Sequence, residues 1–227
     1  AVQIPGIAAW NQPAFTRAGD VVVANQNQHT VHLVSGTNGA MLHICGAEGD
    51  APMHFQRPRG VCVSRDDRVL VADNLNDRIQ ELPNVDRYCT AILLGVGLLQ
   101  YPICVALTPS EDAIVVRQQG GTDRIVVLAR DGASILRVLA TSVDVTHGYH
   151  GLAVSPSGVV AAGAHGAQWV FVCDVGGKWK RKIDATQLPA LPRCMRGVAF
   201  DSKSVFLAFS GDASRRGERL KCPSFVQ

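Results

Sequence analysis

The chain of 227 residues is 47% hydrophobic and 18% charged, with a formal net charge of +3. This composition supplies enough apolar material for one large domain or two small ones, and it excludes a disordered polypeptide. No apolar run reaches the roughly 18 residues that a membrane-spanning helix requires, and the first residues lack the pattern of a signal peptide, so we expect neither.

The positive charge is concentrated towards the C-terminus. Residues 175–227 carry 11 of the 22 lysines and arginines but only 4 of the 19 acidic residues. Such a segment indicates either an acidic or polyanionic partner or a solvated basic surface.

The cysteines provide a second compositional clue. All seven occur without a Cys-x-x-Cys pair, at positions 45, 62, 89, 104, 173, 194 and 222. Those at 45, 62, 89, 104 and 173 lie in or beside apolar segments, where a thiol behaves as a small hydrophobic group. An odd number without paired spacing favours free thiols over a disulfide framework or a zinc ribbon. We therefore favour a reducing, intracellular location.

Short apolar segments typical of strands follow one another along the chain, with turn-forming residues between them. The first four are PAFT, DVVVAN, TVHLVS and MLHICG, and the next four are GVCVS, VLVADN, RIQEL and CTAILL. The third set is ICVALT, AIVVRQ, RIVVLA and ILRVLA, and the fourth is GLAVS, GVVAAGA, WVFVCD and KRKI. GVAFD and VFLAFS begin a fifth set. No segment shows a 3.6-residue apolar period over a dozen residues, so no long helix is predicted.

Equivalent positions in the second segment of each set give the length of the repeat. Ala24, Ala72, Val116, Ala162 and Ala208 occupy equivalent positions, and successive positions are 48, 44, 46 and 46 residues apart. We therefore predict a single domain over residues 1–227 with internal repeats. Its repeats are expected at approximately 8–46, 57–94, 102–140, 149–183 and 195–227.

Four-stranded units at this period predict an all-β fold, the β-propeller. One four-stranded sheet cannot bury both of its faces, whereas sheets packed as blades around an axis bury each face against a neighbour. The first strands, which are small and apolar, should lie nearest the axis and carry Val61, Val105, Ala153 and Val198. Five repeats predict either a five-bladed ring or part of a six-bladed ring, with residues 2–9 as a candidate closing strand.

Residues 46–82 contain a more specific motif. After a glycine-rich lead, its defining positions are Phe55, Pro58, Gly60, Val61, Val63, Val71, Asp73, Asn76, Arg78 and Ile79. This order resembles the NHL repeat, and the segment around Arg124 and Ile125 resembles it in part. The other copies keep only the spacing and the hydrophobicity, and the Gly-His and Trp-Asp signatures of WD repeats are absent. The resemblance implies a propeller, usually of six blades, with a face that in some members binds proteins or RNA.

The candidate binding face collects the turns between second and third strands together with the links between successive repeats. Its candidate residues are Arg57, Arg59, Arg78, Arg124, His147, Tyr149, His150, Arg193 and Arg196. Within this set, Arg78 is expected to join Asp73 and Asn76 in holding their own turn, because a buried turn needs its polar groups satisfied. The other arginines are candidates for contact with a partner.

A second basic patch consists of Lys178, Lys180, Arg181 and Lys182. It falls on a predicted outer strand and the turn before it, away from the candidate binding face. Lysines on an outer strand commonly prevent edge-to-edge pairing. Contact with a partner or a phosphate group is the alternative.

No catalytic, metal-binding or cofactor-binding motif is recognised, and no cofactor is expected. His29 and His32, like His147 and His150, are three residues apart, a spacing that places strand side chains on opposite faces. We see no nucleophile elbow, phosphate loop or pair of carboxylates at a defined spacing. The favoured function is a non-enzymatic module that binds another protein. An RNA-binding NHL domain and a lactonase- or lyase-type enzyme acting in the axial channel are the alternatives, and the oligomeric state stays open.

Overall fold

The computed structural model describes residues 12–83, 91–120, 123–141, 151–163, 169–184, 194–200, 204–210 and 218–221. Within them the chain is almost entirely β-structure, as expected from its apolar segments and turn-forming residues. The exception is one short 3₁₀ turn at Asn74–Asn76.

The strands form successive antiparallel meanders, one for each predicted repeat. The first sheet contains β1 (Ala14–Phe15), β2 (Val21–Asn25), β3 (Thr30–Val34) and β4 (Met41–Cys45). The short parallel pair β5 (Ala47–Glu48) and β6 (His54–Phe55) lies in the link to the second sheet. The second sheet contains β7 (Pro58–Val63), β8 (Val69–Asp73), β9 (Arg78–Leu82) and β10 (Ile92–Leu94).

The remaining sheets repeat the same order. The third contains β11 (Pro102–Leu107), β12 (Ala113–Gln118), β13 (Arg124–Ala129) and β14 (Ile135–Ala140). The fourth contains β15 (Gly151–Val154), β16 (Val159–Gly163), β17 (Trp169–Asp174) and β18 (Lys180–Asp184). The fifth contains β19 (Cys194–Phe200), β20 (Ser204–Ser210) and β21 (Glu218–Lys221). All five anchor positions lie in the second strand of their sheet.

The second sheet shows how alternation buries both faces of a blade. In β8, Val69 and Val71 pack towards the first sheet, where they join Val22 and Val31 in one apolar cluster. The intervening residue Leu70 packs in the opposite direction, into a cluster shared with the third sheet. Because side chains alternate along a strand, apolar residues at every position place one sheet between two neighbours. This is the blade arrangement of a β-propeller.

The first strand of each blade forms the inner layer. β7 packs on β11, β11 on β15 and β15 on β19, so these strands follow one another around the interior. They carry Val61, Val105, Ala153 and Val198, as predicted. At Gly60 the approach is so close that a Cβ atom would lie 2.7 Å from the carbonyl oxygen of Ile103. The glycine of the motif therefore permits the contact between the inner strands of two blades.

The outer strands differ in their exposed chemistry. β4 presents Met41, Leu42 and Ile44 to solvent. β18 instead presents Lys180, Arg181 and Lys182. No hydrogen-bonded strand pairing between the first and fifth sheets occurs among the described strands, and the candidate closing segment 2–9 lies outside the described residues. No helix in the described part of the chain has the length and apolarity needed to span a bilayer.

Candidate binding face

The meander order places two kinds of connection on one side of the blades. Turns between second and third strands and links between blades share this side, because each strand reverses the direction of the one before it. We call this side the link face; its described parts are residues 25–30, 45–59, 73–78, 94–102, 118–120 and 123–124, where Arg59 is the second residue of β7. The hairpin face is the opposite side, which carries the other turns. Of the residues predicted to bind a partner, Arg57, Arg78 and Arg124 lie on the described link face, and Arg59 lies at its border.

The Asp73 carboxylate organises the second blade's part of the link face. Its Oδ1 accepts a hydrogen bond from the main-chain N–H of Gln56 at 2.7 Å. Its Oδ2 accepts bonds from Asn76 Nδ2 at 2.8 Å, Arg78 Nε at 2.9 Å and Gln80 Nε2 at 2.9 Å. Asp73 is fully buried, so these donors replace the water that its charge has lost. One carboxylate thereby fixes a turn, a strand and the preceding link together.

The hydrogen bonds of the Arg78 side chain all lie within the protein and stabilise its fold. The Arg78 guanidinium also donates to the main-chain carbonyls of Asp50, Ala51 and His54, which belong to the link between the first two blades. The side chain is buried. Gln80 supports the same link, because its side chain donates to His54 O at 2.5 Å and accepts from Met53 N at 3.0 Å. Arg78 therefore shapes the face without presenting its charge to a partner.

Arg124 borders an open groove on the link face. The groove has a volume of about 540 Å³ and is lined by Asp77, Gly97, Leu98, Leu99, Gln100, Gly120 and Arg124. Arg124 Nη2 donates to the carbonyl of Leu98 at 3.2 Å. Asp77 Oδ1 accepts from the main-chain N–H of Tyr101 at 2.7 Å, which ties the groove's two walls together. The groove thus combines an acidic, a basic and an apolar wall.

Arg57 and Arg59 stand apart from these networks. Arg57 is exposed, and its main-chain N–H donates to His29 Nδ1 at 3.2 Å. Arg59 is half-buried, and its Nε has no hydrogen-bond partner. Burial, followed by the neighbouring charge of Arg57, lowers the pKa of the Arg59 guanidinium from its ordinary value. Within the described residues neither side chain forms an ion pair or a hydrogen bond.

A deeper pair of charges was not singled out from the sequence. Arg117 is fully buried in β12, and its Nη2 lies 4.0 Å from Asp123 Oδ2. Asp123 is also buried. In β12, with the sequence AIVVRQ, Arg117 directly follows four apolar residues, and a charged residue in such a strand was the available signal.

The other predicted residues divide between the fold's edge and the undescribed segments. His147, Tyr149, His150 and Arg193 lie outside the described residues, and only the backbone of Arg196 is described, in β19. Lys178 lies in a turn of the hairpin face, while Lys180, Arg181 and Lys182 begin β18. The Arg181 guanidinium lies 5.9 Å from the centre of the Trp179 ring. The second basic patch is therefore separate from the link face.

The described residues include no group of three histidine, cysteine, aspartate or glutamate side chains that could hold a metal ion. Among the described residues, the thiols of Cys45, Cys62 and Cys104 are free. Burial raises the pKa of Cys62 to about 12 and that of Cys45 to about 11, the latter offset in part by a hydrogen bond from Val31. Thiols with such values are poor nucleophiles and metal ligands at neutral pH.

Comparison with known proteins agrees with the repeat reading. Residues 55–82 match the family model of the NHL repeat, so the resemblance seen in the sequence is confirmed for this segment. No curated protein sequence matches the chain.

Solved structures share the fold at low sequence identity. A chain of a nidogen/laminin complex aligns with a TM-score of 0.69 and 15% identity, covering 88% of this chain and 71% of that chain. Virginiamycin B lyase from Staphylococcus aureus, a catalytically inactive form with quinupristin, aligns with a TM-score of 0.62 and 12% identity over 88% of this chain and 62% of that chain. A gluconolactonase from Xanthomonas campestris gives 0.57 and 17% over 90% and 84%. These likenesses establish the β-propeller fold.

Proposed function

We propose that the protein is a non-enzymatic NHL-like propeller that binds another protein through its link face. The observation that carries this proposal is the state of Arg57 and Arg59. Their guanidinium groups have no acceptor among the described residues, whereas the buried carboxylates of the same face already lie beside Arg78 and Arg117. Charges that a fold leaves unmatched on a rigid surface are available to a partner.

The framework beneath these arginines supports the same proposal. The Asp73 network fixes the 73–78 turn and the 50–56 link, so the face is shaped before any partner arrives. A preformed surface loses little conformational entropy on binding. The nidogen structure of similar fold is recorded in a complex with laminin, which supports the propeller as a protein-binding scaffold.

Site-specific photo-cross-linking in the source cells tests the proposal. A photoreactive residue replaces Leu75, which is exposed within the 73–78 turn, and in a matched control it replaces Leu136, which is exposed on β14. We expect a discrete protein adduct from position 75 and not from position 136. An adduct to RNA from position 75 would favour the RNA-binding alternative, and the absence of any adduct specific to position 75 would contradict binding at this face.

A further inference from the structure

The backbone around Arg59 fixes the position of this residue. Arg59 precedes Gly60, where an added Cβ atom would lie 2.7 Å from Ile103 O and 2.9 Å from Cys104 Cα in the next blade. The position therefore lies where β7 and β11 approach each other closely. Because β7 starts at the link face and runs away from it, Arg59 lies nearer that face than Val61 does. The backbone holds this arginine at the inner end of the link face.

Gln12 contacts β7 two residues after Arg59. Its main-chain oxygen accepts from Val61 N at 3.4 Å, and its Nε2 donates to the carbonyl of Leu152 at 2.9 Å. The Gln12 residue thus connects the inner strands of the second and fourth blades at the level of Val61. The strand that carries Arg59 is therefore tied to the fourth blade close to this residue.

No described acidic residue forms an ion pair with Arg57 or Arg59. Arg57 and Arg59 are two residues apart, and each lacks an ion pair within the described residues, while the half-buried Arg59 has also lost much of its hydration. A partly desolvated guanidinium without an acceptor is costly, and a carboxylate that approaches it gains a charge-assisted hydrogen bond. These two arginines therefore favour the binding of an anionic group.

The composition of the described face favours a carboxylate over a nucleic acid. Binding of RNA commonly uses several phosphate contacts together with aromatic platforms for the bases. The described part of the link face offers two unpaired arginines, no lysine, and Tyr101 as its exposed aromatic side chain. Exposed apolar groups nearby, among them Leu75, suit the other side chains of a peptide.

We propose that Arg57 and Arg59 bind a side-chain carboxylate of an acidic peptide segment in the protein partner. Arg59 is the anchor at the inner end, and Arg57 adds the second positive charge at the exposed rim. The inference rests on the proposed function, since it names the chemistry that the link face recognises.

Binding of short probes tests the inference by fluorescence anisotropy. The probes are labelled, acetylated octapeptides of glutamate and of glutamine, together with a labelled uridine octanucleotide. We expect the glutamate peptide to bind, the glutamine peptide to bind at least about tenfold more weakly, and Arg59→Gln to weaken the glutamate peptide by at least about tenfold. Arg57→Gln should act in the same direction. Lys178→Gln, which removes the same charge from the hairpin face, should change the affinity by less than about twofold.

The variants also report on folding. Arg59→Gln removes a half-buried charge that lacks a partner, so its thermal midpoint should equal or exceed that of the unmodified protein. If this variant does not fold, Arg57→Gln at an exposed position provides the same test of binding. The inference is overturned if the glutamate peptide does not bind, if Lys178→Gln weakens it as much as Arg59→Gln does, or if the uridine probe binds more tightly and depends on Arg59.

The outcomes separate this inference from the proposed function. A protein adduct at position 75 with no arginine-dependent binding of glutamate would keep the binding face and reject the carboxylate site. Arginine-dependent binding of glutamate without any adduct at position 75 would keep the carboxylate site and reject a protein partner.

Discussion

The side-chain amide of Gln12 donates a hydrogen bond to the main-chain carbonyl of Leu152 at 2.9 Å, although 140 residues separate the two. Gln12 also accepts a main-chain bond from Val61. One residue ahead of the first blade therefore connects the inner strands of the second and fourth blades. The described sheets contain only bonds between strands that follow each other in sequence, so this contact connects blades that the sheet hydrogen bonds leave separate.

Replacing Gln12 should show how much this hydrogen bond contributes to the free energy of unfolding. Gln12→Leu keeps a similar volume but removes the donor to Leu152, and we expect the free energy of unfolding to fall by about 1 kcal/mol. Urea denaturation provides the measurement. Asn27→Ala, which changes an exposed side chain on the same face, should have little effect. Equal stability of Gln12→Leu and the unmodified protein would mean that the bond contributes nothing net.

The Asp73 network should be the most sensitive polar site in the described structure. Asp73→Ala removes the acceptor of four hydrogen bonds and leaves the buried Arg78 without its carboxylate. Breaking a buried pair from one side costs about 3–5 kcal/mol, so chemical denaturation should show a loss of that order. Asp50→Ala is the control, because Asp50 is exposed and joins the network through its main-chain oxygen alone. A similar loss in both variants would contradict this account.

Gly60 should tolerate no side chain. In Gly60→Ala, the added Cβ would lie 2.7 Å from Ile103 O and 2.9 Å from Cys104 Cα, and backbone atoms cannot rotate away. We expect the two inner strands to separate, at a cost of about 1–3 kcal/mol or more in thermal or urea unfolding. Gly97→Ala isolates the conformational effect, because Gly97 has φ +74° and open space around its Cα. The steric explanation fails if Gly60→Ala is no more destabilising than this control.

The stability should depend on pH through Glu81. Burial alone would raise the pKa of this carboxyl, but hydrogen bonds from Arg130 of the third blade and Arg68 of the second hold it below its ordinary value. Since the folded pKa is the lower one, the ionised group stabilises the fold above its ordinary pKa of about 4.3, and this contribution disappears as the pH falls through the folded value.

Glu81→Gln tests this pH dependence. At pH 7 the variant should lose about 2–3 kcal/mol, because two arginines lose their shared carboxylate. The difference from the unmodified protein should shrink steadily below about pH 4. Paired urea titrations at pH 7, 4 and 3 give the comparison, and a difference that grows towards low pH would contradict the assigned direction.

Cys45, Cys62 and Cys104 should be unreactive until the protein unfolds. Burial raises the pKa values of Cys45, Cys62 and Cys104, so a disulfide-exchange reagent at pH 8 should modify these positions slowly in the folded protein. In denaturant without reductant, all seven thiols should react. Titration of fewer than seven, with the remainder recovered by a reductant, would reveal a disulfide.

The sequence predicted the blades well because their signal is repeated and local. Alternating apolar segments at a period near 46 residues located all five second strands, and the Asp73, Asn76 and Arg78 spacing indicated a self-contained turn. Gln80 was not singled out, because a polar residue in the middle of a strand has the same appearance whether it faces water or a buried carboxylate. Gln12 was missed for a similar reason, since its partner lies 140 residues away and no periodic pattern relates them. The half-burial of Arg59 depends on how closely two blades approach at Gly60, which is a three-dimensional property.

The meander order also determines when each contact becomes possible during synthesis. Each described sheet takes its strands from one continuous stretch, so a blade can assemble as soon as its last strand leaves the ribosome, without waiting for later sequence. The hydrogen bond from Gln12 can form only later in synthesis. Its acceptor at Leu152 is made only after three complete blades, so Gln12 must remain without this partner until the fourth blade is being synthesised.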